Sequence, residues 1–378
     1  MKINQISHGT IIPLILAAGA LVILIGLGGT AFYFKYREST VGTVILDPIK
    51  HKTNTENSVI EPPQDNYVPA LLLDSLFANT DEQIWQNYPE DDVVQIISTG
   101  DIMVGRYVNI KVIRTGDFNY PYLKTRELIG SADLAIGNLE TPLLAGCPQT
   151  GEGMIFCADP RHAKGLAGAG FDLLSLANNH SSNYGTEGLA QTKEILKKNN
   201  IAFARNEITW QKTIKGTKFA FIAVNDVSET LDTASLLKQV QNMKKNADVL
   251  IVLPHWGAEY TRTPKAAGGV APHDPKVLSH ELIDAGADLI LGNHPHWYQG
   301  FEIYKNKLIA YSHGNYIFDQ EWSEETKTGI IGKYYFYKDK LVNVEIHPVY
   351  IEEYMQPRLL TSEKKSAIQA EIFKYSWE

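Results

Sequence analysis

Four times the sequence repeats one short pattern: a small or apolar residue, an aspartate, an apolar run, then a polar cluster. The copies lead from Ala132-Asp133 to Gly137-Asn138-Leu139-Glu140, and from Phe171-Asp172 to Asn178-Asn179-His180. They continue from Ala247-Asp248 to His255-Trp256-Gly257, and from Ala287-Asp288 to Asn293-His294-Pro295-His296. Each apolar run is short and rich in Leu, Ile or Val, with helix-length stretches between copies, which predicts buried strands in a βα succession. A fifth strand over 93–99 ends in Gly100-Asp101. The stretch 185–198 carries Leu189, Thr192, Ile195 and Leu196 at helical spacing and stops at Asn199-Asn200. Residues 218–224 predict another strand and 231–245 another helix. Beyond Gln299 the runs 301–304, 307–312, 329–337 and 341–349 predict antiparallel strands. Mixed sheets of this kind suit a layered α/β sandwich.

The repeat separates structure from chemistry. Asp133, Asp172, Asp248 and Asp288 open their strands and read as structural. The polar clusters fall at the carboxyl ends, where open α/β sheets place a ligand crevice. Taken together the ends offer Asp101, Glu140, Asn179, His180, His255, His294 and His296. This oxygen and imidazole set, without sulfur, suits Mn, Fe or Zn, and its carboxylates can bridge two cations. His294 and His296 flank a proline, and on an extended segment alternate residues would point the same way.

Residues 11–34 run for 24 positions without a charge. As a helix they would extend about 36 Å, enough to cross a hydrocarbon core of about 30 Å. Residues 1–40 therefore read as a transmembrane anchor, with a signal peptide cleaved at the small pair Gly29 and Ala31 as the alternative, and the Pro-interrupted 41–92 as a tether with one short helix near 71–77. Residues 93–378 remain as one large α/β domain. Lys2 on one side of the span and Lys35 and Arg37 on the other leave its orientation open.

Forty-three acidic against 35 basic side chains give a net charge of −8, which offers no footprint for nucleic acid. The two cysteines, Cys147 and Cys157, exclude a paired-cysteine zinc site. They would form a disulfide if the domain faces outward and remain free thiols in the cytosol.

Several blocks carry a resemblance. Gly100-Asp101-Ile102-Met103-Val104-Gly105-Arg106, Gly137-Asn138-Leu139-Glu140-Thr141-Pro142, Ala177-Asn178-Asn179-His180, His255-Trp256-Gly257-Ala258-Glu259-Tyr260, Gly292-Asn293-His294-Pro295-His296 and Tyr311-Ser312-His313-Gly314-Asn315 follow in one order. They resemble the signature blocks of CapA-type poly-γ-glutamate capsule biosynthesis proteins, a family similar to the calcineurin-like metallophosphoesterases. The resemblance implies a four-layer α-β-β-α sandwich and a membrane-anchored domain outside the cytoplasm. It also implies an anionic polymer such as poly-γ-glutamate as substrate, and other capsule-synthesis membrane proteins as partners.

Mapped onto this chain, it makes Asp101 and His296 ligands of a first metal and Glu140 the bridging carboxylate. Asn179, His255 and His294 become ligands of a second, and His180 the acid or oxyanion donor. Two positions depart from the metallophosphoesterase pattern: Met103 stands where a histidine is usual, and reads as core packing, and Glu140 replaces an aspartate. One metal or two both remain open. Arg106 is a candidate for holding a substrate carboxylate or phosphate, with an ordinary ion pair as the alternative. Glu259 is a candidate for proton transfer, with a hydrogen-bonding structural role as the alternative, and Asn315 for facing the site. Arg161, Lys164 and Arg262 complete the basic candidates for an acidic polymer. His313 stands where the family usually has an apolar residue, and His162, His273, His280 and His347 read as exposed or helix-face residues. Three functions fit: a metal-dependent hydrolase, a non-catalytic component of a capsule-synthesis or export complex, and a phosphatase on a small or lipid-linked phosphate.

Overall fold

A computed structural model describes residues 72–73 and 84–378. The uncharged run 11–34, and with it the expected anchor, lies outside the described residues. Among those described, no helix is long and apolar enough to cross a membrane. Of the short helix expected near 71–77, only Leu72 and Leu73 are described. Leu73 is buried, and its amide donates to Glu378 Oε1 at 2.8 Å.

Strands β1 (Val93–Ile102), β2 (Leu134–Leu139), β3 (Leu173–Ser175) and β4 (Ala202–Ala204) come first. They are followed by β5 (Trp210–Ile214), β6 (Thr217–Asn225), β7 (Val249–His255) and β8 (Leu289–Leu291). The last are β9 (Phe301–Tyr304), β10 (Lys307–Ala310), β11 (Asn315–Ile317), β12 (Thr328–Tyr337), β13 (Lys340–Glu352) and β14 (Gln356–Leu359). One eight-stranded sheet has the order β14-β13-β12-β1-β2-β3-β4, with β11 also paired to β1; a six-stranded sheet has the order β5-β6-β7-β8-β10-β9. Helices α1 (Arg106–Thr115), α2 (Arg126–Gly130), α3 (His162–Ala169) and α4 (Gly185–Lys198) come first; α5 (Thr233–Lys244), α6 (Pro275–Ala285) and α7 (Ser362–Lys374) follow.

The two-residue period of the strands sorts side chains into three apolar layers. Ile96, Leu134 and Leu173 meet Phe219, Phe221 and Ile251 between the sheets. Their strand neighbours Ile97, Ala135 and Leu174 pack outward against Val108, Val112, Leu166 and Leu196 of the helices. On the other face Ala220, Ile222 and Leu250 pack against Leu236, Val240, Leu278 and Leu282. The arrangement is helix, sheet, sheet, helix.

The four repeated aspartates stitch neighbouring parallel strands together. Asp133 Oδ2 accepts from Gln95 N and Asp172 Oδ2 from Ala135 N, at 2.8 and 2.9 Å. Asp248 Oδ2 accepts from Lys218 N and Asp288 Oδ2 from Leu250 N, both at 2.8 Å. In each case the aspartate's own amide donates back to the same residue's carbonyl. A polar group at a strand start thus satisfies the neighbouring strand's otherwise unpaired end.

Two expectations need correction. The strands beyond Gln299 are not all antiparallel, because β10 runs parallel to β8 and β11 parallel to β1. His162 is fully buried, with Nε2 3.2 Å from Asn109 Oδ1, although it lies on a helix. His313, at a position where the family usually has an apolar residue, is buried as such a residue would be, and bonds Gly292 O through Nδ1 and the Tyr334 hydroxyl through Nε2.

Candidate metal centre

Five strand ends bring the expected residues to one place. Asp101 lies near the end of β1, with Asn138 inside the end of β2 and Glu140 just past it. Asn179 follows β3, His255 closes β7 and His294 and His296 follow β8. Asn315 opens β11 and pairs in register with Asp101. The backbones approach so closely here that a side chain at Gly100 would lie 2.0 Å from Gly314 O. One at Gly292 would lie 2.1 Å from Tyr311 O, so glycine is required at both positions.

Asp101, Glu140 and His296 form one buried ligand group, and Glu259, His294 and His296 a second that shares His296. Asp101 Oδ2 lies 3.1 Å from His296 Nδ1, which also meets Asn315 Oδ1 at 3.0 Å. His296 Nε2 faces Glu259 at 3.9 Å. On the other side of Glu140, His255 Nδ1 is 3.9 Å from Glu140 Oε1 and His255 Nε2 is 2.9 Å from Asn179 Oδ1. The His255 and His294 ring centres are 4.6 Å apart.

The segment carrying His294 and His296 is bent, not extended as expected. Both have left-handed backbone, with φ of 101° and 58°. Arg106 (φ 45°) and Tyr260 (φ 57°) share that conformation. Non-glycine residues held there cost about 1–3 kcal/mol each, and such strain gathers at functional sites.

The electrostatics favour a cation. Burial and the Asp101 charge push Glu140 well above the usual carboxylate range. Burial would raise Asp101 too, but the hydrogen bond and charge of His296, with the Asn138 amide, outweigh it and hold it low. Burial likewise disfavours a charged His296, and the partnership with Asp101 reverses the sign and raises it. Burial and neighbouring imidazoles hold His255 well below its ordinary value and His294 at about 3, so both present neutral rings. Glu140 Oε2 and His294 Nδ1 are buried without a hydrogen-bond partner among the described residues. Buried polar atoms are seldom left so, and close carboxylates beside neutral imidazoles are the donor set a divalent ion takes. The residues fit a metal.

His180 borders this cluster. Its ring stacks on Phe156 at 4.1 Å, and its Nδ1 lies 3.1 Å from Asn183 Oδ1, which also accepts from Phe156 N at 2.7 Å. An acceptor there makes His180 Nδ1 the protonated nitrogen and leaves Nε2 with a lone pair. Burial lowers the His180 pKa to about 4. Phe156 adjoins Cys157, which is disulfide-bonded to Cys147.

Arg106 is held by protein groups. It pairs with Asp319, donates to Gly153 O at 3.2 Å, and lies over the rings of Phe156 and Phe318 at 4.9 and 5.7 Å. This is its ion-pair alternative. Arg161 pairs with Asp159 and Arg262 with Glu371, while Lys164 is exposed. Met103 packs with Phe156 and Phe318 in a small apolar cluster. Among the remaining histidines, His273 pairs with Asp226, His280 with Glu302 and His347 with Glu345.

Sequence reasoning missed Asn138, whose Nδ2 lies 2.8 Å from Asp101 Oδ1, 3.2 Å from Glu140 Oε1 and 3.1 Å from His255 Nδ1. The signal was present: Asn138 and Glu140 are two apart at a strand end and so share a face. Asn178, likewise missed, donates to Asn138 Oδ1 at 3.1 Å and Leu139 O at 2.9 Å.

Residues 95–320 match the family described as "Bacterial capsule synthesis protein PGA_cap". The chain is 30% identical over 302 residues to a capsule biosynthesis protein CapA of Bacillus anthracis, covering 72% of this chain and 71% of that one. It is 29% identical over 329 residues to a PGA biosynthesis protein CapA of Bacillus subtilis, covering 80% and 83%. Among solved structures, a hypothetical protein from Thermus thermophilus aligns with a TM-score of 0.46 and 16% identity, over 68% of this chain and all of that one. With its strand-end blocks inside the matched span, this chain belongs to the bacterial capsule synthesis (PGA_cap) family.

Proposed function

We propose that this protein is a membrane-anchored, metal-dependent hydrolase of poly-γ-glutamate or capsule metabolism, with its domain outside the cytoplasm. The observation that carries the reading is the buried ligand cluster with Glu140 Oε2 and His294 Nδ1 unpartnered. Asp101, Glu140 and His296 would hold one Mn, Fe or Zn ion, and Asn179, His255 and His294, with Glu140 shared, a second. Bound there, such an ion supplies charge stabilisation to the scissile group and acidifies water at neutral pH. His180, with its proton fixed on Nδ1, accepts a proton at Nε2 and returns it to the departing group. Glu259 offers a second carboxylate for proton transfer, while Asn315 orients His296. The outward topology draws support from the family and from the Cys147–Cys157 bond, since disulfides persist in oxidising compartments.

The test is elemental analysis of the protein purified without chelators, beside its His294→Ala variant. One or two equivalents of Mn, Fe or Zn, lost in the variant together with poly-γ-glutamate cleavage, is the expected result. Folded protein that holds no metal and takes up none when supplied would sink the proposal.

A second reading, a non-catalytic member of a membrane capsule-assembly complex, is favoured by Met103, which sits in an apolar cluster instead of supplying a nitrogen to the first site. Its signature would be recovery of other membrane proteins with the chain, lost when residues 11–34 are replaced by an unrelated span.

A further inference from the structure

Beside the metal cluster, on its Glu259 and His296 side, stands an aromatic ledge that the hydrolase reading leaves unused. Trp322 is 59% exposed, and its ring meets Tyr260 edge to face with centroids 4.8 Å apart. Tyr260 in turn lies 5.8 Å from the His296 ring and 6.5 Å from Trp297.

The loop that carries Trp322 is fastened on both flanks. Thr326, fully buried, donates its hydroxyl to Gln320 O at 2.8 Å, and its amide donates to Ser323 Oγ at 3.1 Å. Gln320 Nε2 donates to the Tyr260 hydroxyl at 3.2 Å, and Gln320 Oε1 accepts from Asn315 Nδ2 at 3.0 Å. Asn315 is the residue that holds His296. One chain of hydrogen bonds therefore runs from the ledge to a candidate ligand. Tyr260 keeps its place at the expense of a left-handed backbone, its amide donating to Pro295 O at 2.9 Å. An indole presented to solvent on so well-bonded a loop, edge to face with Tyr260, offers a fixed flat apolar surface to a ligand.

Charge selects the occupant. Glu259 faces the ledge's inner edge, and the nearby cations are already paired: Arg106 with Asp319, and Lys327 with Glu321 and Glu324. A polymer carboxylate on the ledge would meet the partly exposed Glu259 carboxylate. A neutral ring with a flat C–H face and a rim of hydroxyls fits instead, its face on the indole and its hydroxyls toward the Glu259 carboxylate and the Tyr260 oxygen.

We propose that Trp322 and Tyr260, with Glu259, form a subsite for a neutral saccharide ring adjoining the metal cluster. The proposal rests on the reading of that cluster as the reacting centre, and adds an uncharged, hydroxylated partner to its anionic polymer.

Isothermal calorimetry on the full chain, with chitotetraose as the neutral probe and poly-γ-glutamate as the anionic comparison, tests it, with metal content measured on the same samples. Expected is saturable chitotetraose binding, at least tenfold weaker in Trp322→Ala, partly retained in Trp322→Phe, and with metal content equal in all three. No saturable binding to wild type, equal binding by Trp322→Ala, or a Trp322 dependence seen only with poly-γ-glutamate would each overturn it. Metal-free protein that still binds chitotetraose through Trp322 would refute the metal reading while upholding the ledge.

Discussion

Asn138 has two amide protons and three acceptors within reach, Asp101, Glu140 and His255. Its side chain fixes the spacing of two carboxylates that repel one another and, by donating to Nδ1, sets which nitrogen of His255 bears the lone pair. Such supporting residues typically govern 10- to 100-fold in metal affinity. We therefore expect Asn138→Ala to weaken metal binding by about that factor, with an unchanged circular dichroism spectrum; competition with a chromophoric chelator would measure it. His162 is the other residue whose chemistry is set by its surroundings. Burial, only partly offset by Asp159 and reinforced by Arg161, lowers its pKa to about 3. The folded pKa lies below the unfolded one, so the unfolded chain binds the extra proton. Stability from His162 is thus complete above about pH 6.5 and is lost as pH falls below that value. From pH 7 to pH 5 the loss amounts to about 2 kcal/mol. Urea titrations at the two pH values should show that much less pH dependence in His162→Gln than in wild type.

Among the elements, the strand-opening aspartates act as clamps, and Asp288 is the most heavily used. It accepts from Leu250 N and pairs with both Lys244 and Lys307 at 2.7 Å while only 7% exposed. Asp288→Ala would strand a buried amide and unpair two ammonium groups, a loss of about 2–3 kcal/mol by denaturant midpoint. Asp248→Ala, on a more exposed pair of groups, should cost less, about 1 kcal/mol. The structural role of these aspartates, the succession of strands in the βα region and the convergence of Asp101, Glu140, His180, His255 and His294 were legible because an apolar run with an aspartate before it and polar residues after it encodes both ends of a strand. What escaped depends on contacts distant in sequence. The burial of His162 comes from Asn109 and Phe118, more than 40 residues away. Phe156 gains its place from His180 and Phe318. The bend at His294 and His296 was hidden for another reason: nothing in a histidine codon advertises positive φ, whereas a glycine would have.

For the molecule as a whole, the two sheets supply a rigid frame and the loops at one end supply the chemistry. The Cys147–Cys157 loop is closed by the disulfide, which contributes about 2–3 kcal/mol in the chain-entropy account. Cys147→Ser with Cys157→Ser should lower the denaturation midpoint accordingly, and a change of less than 0.5 kcal/mol would show the loop to be held by its other contacts. Those contacts matter more than the number. Phe156, next in sequence to Cys157, covers one face of His180 and shares the Asn183 oxygen with it, while Gly153 receives Arg106. A newly made chain in a reducing cytosol would carry this loop unfastened, with the His180 imidazole lacking its lid. Under the proposed outward topology the loop would be sealed only where the surroundings are oxidising, so the two cysteines tie the cover over His180 to the redox state of the compartment.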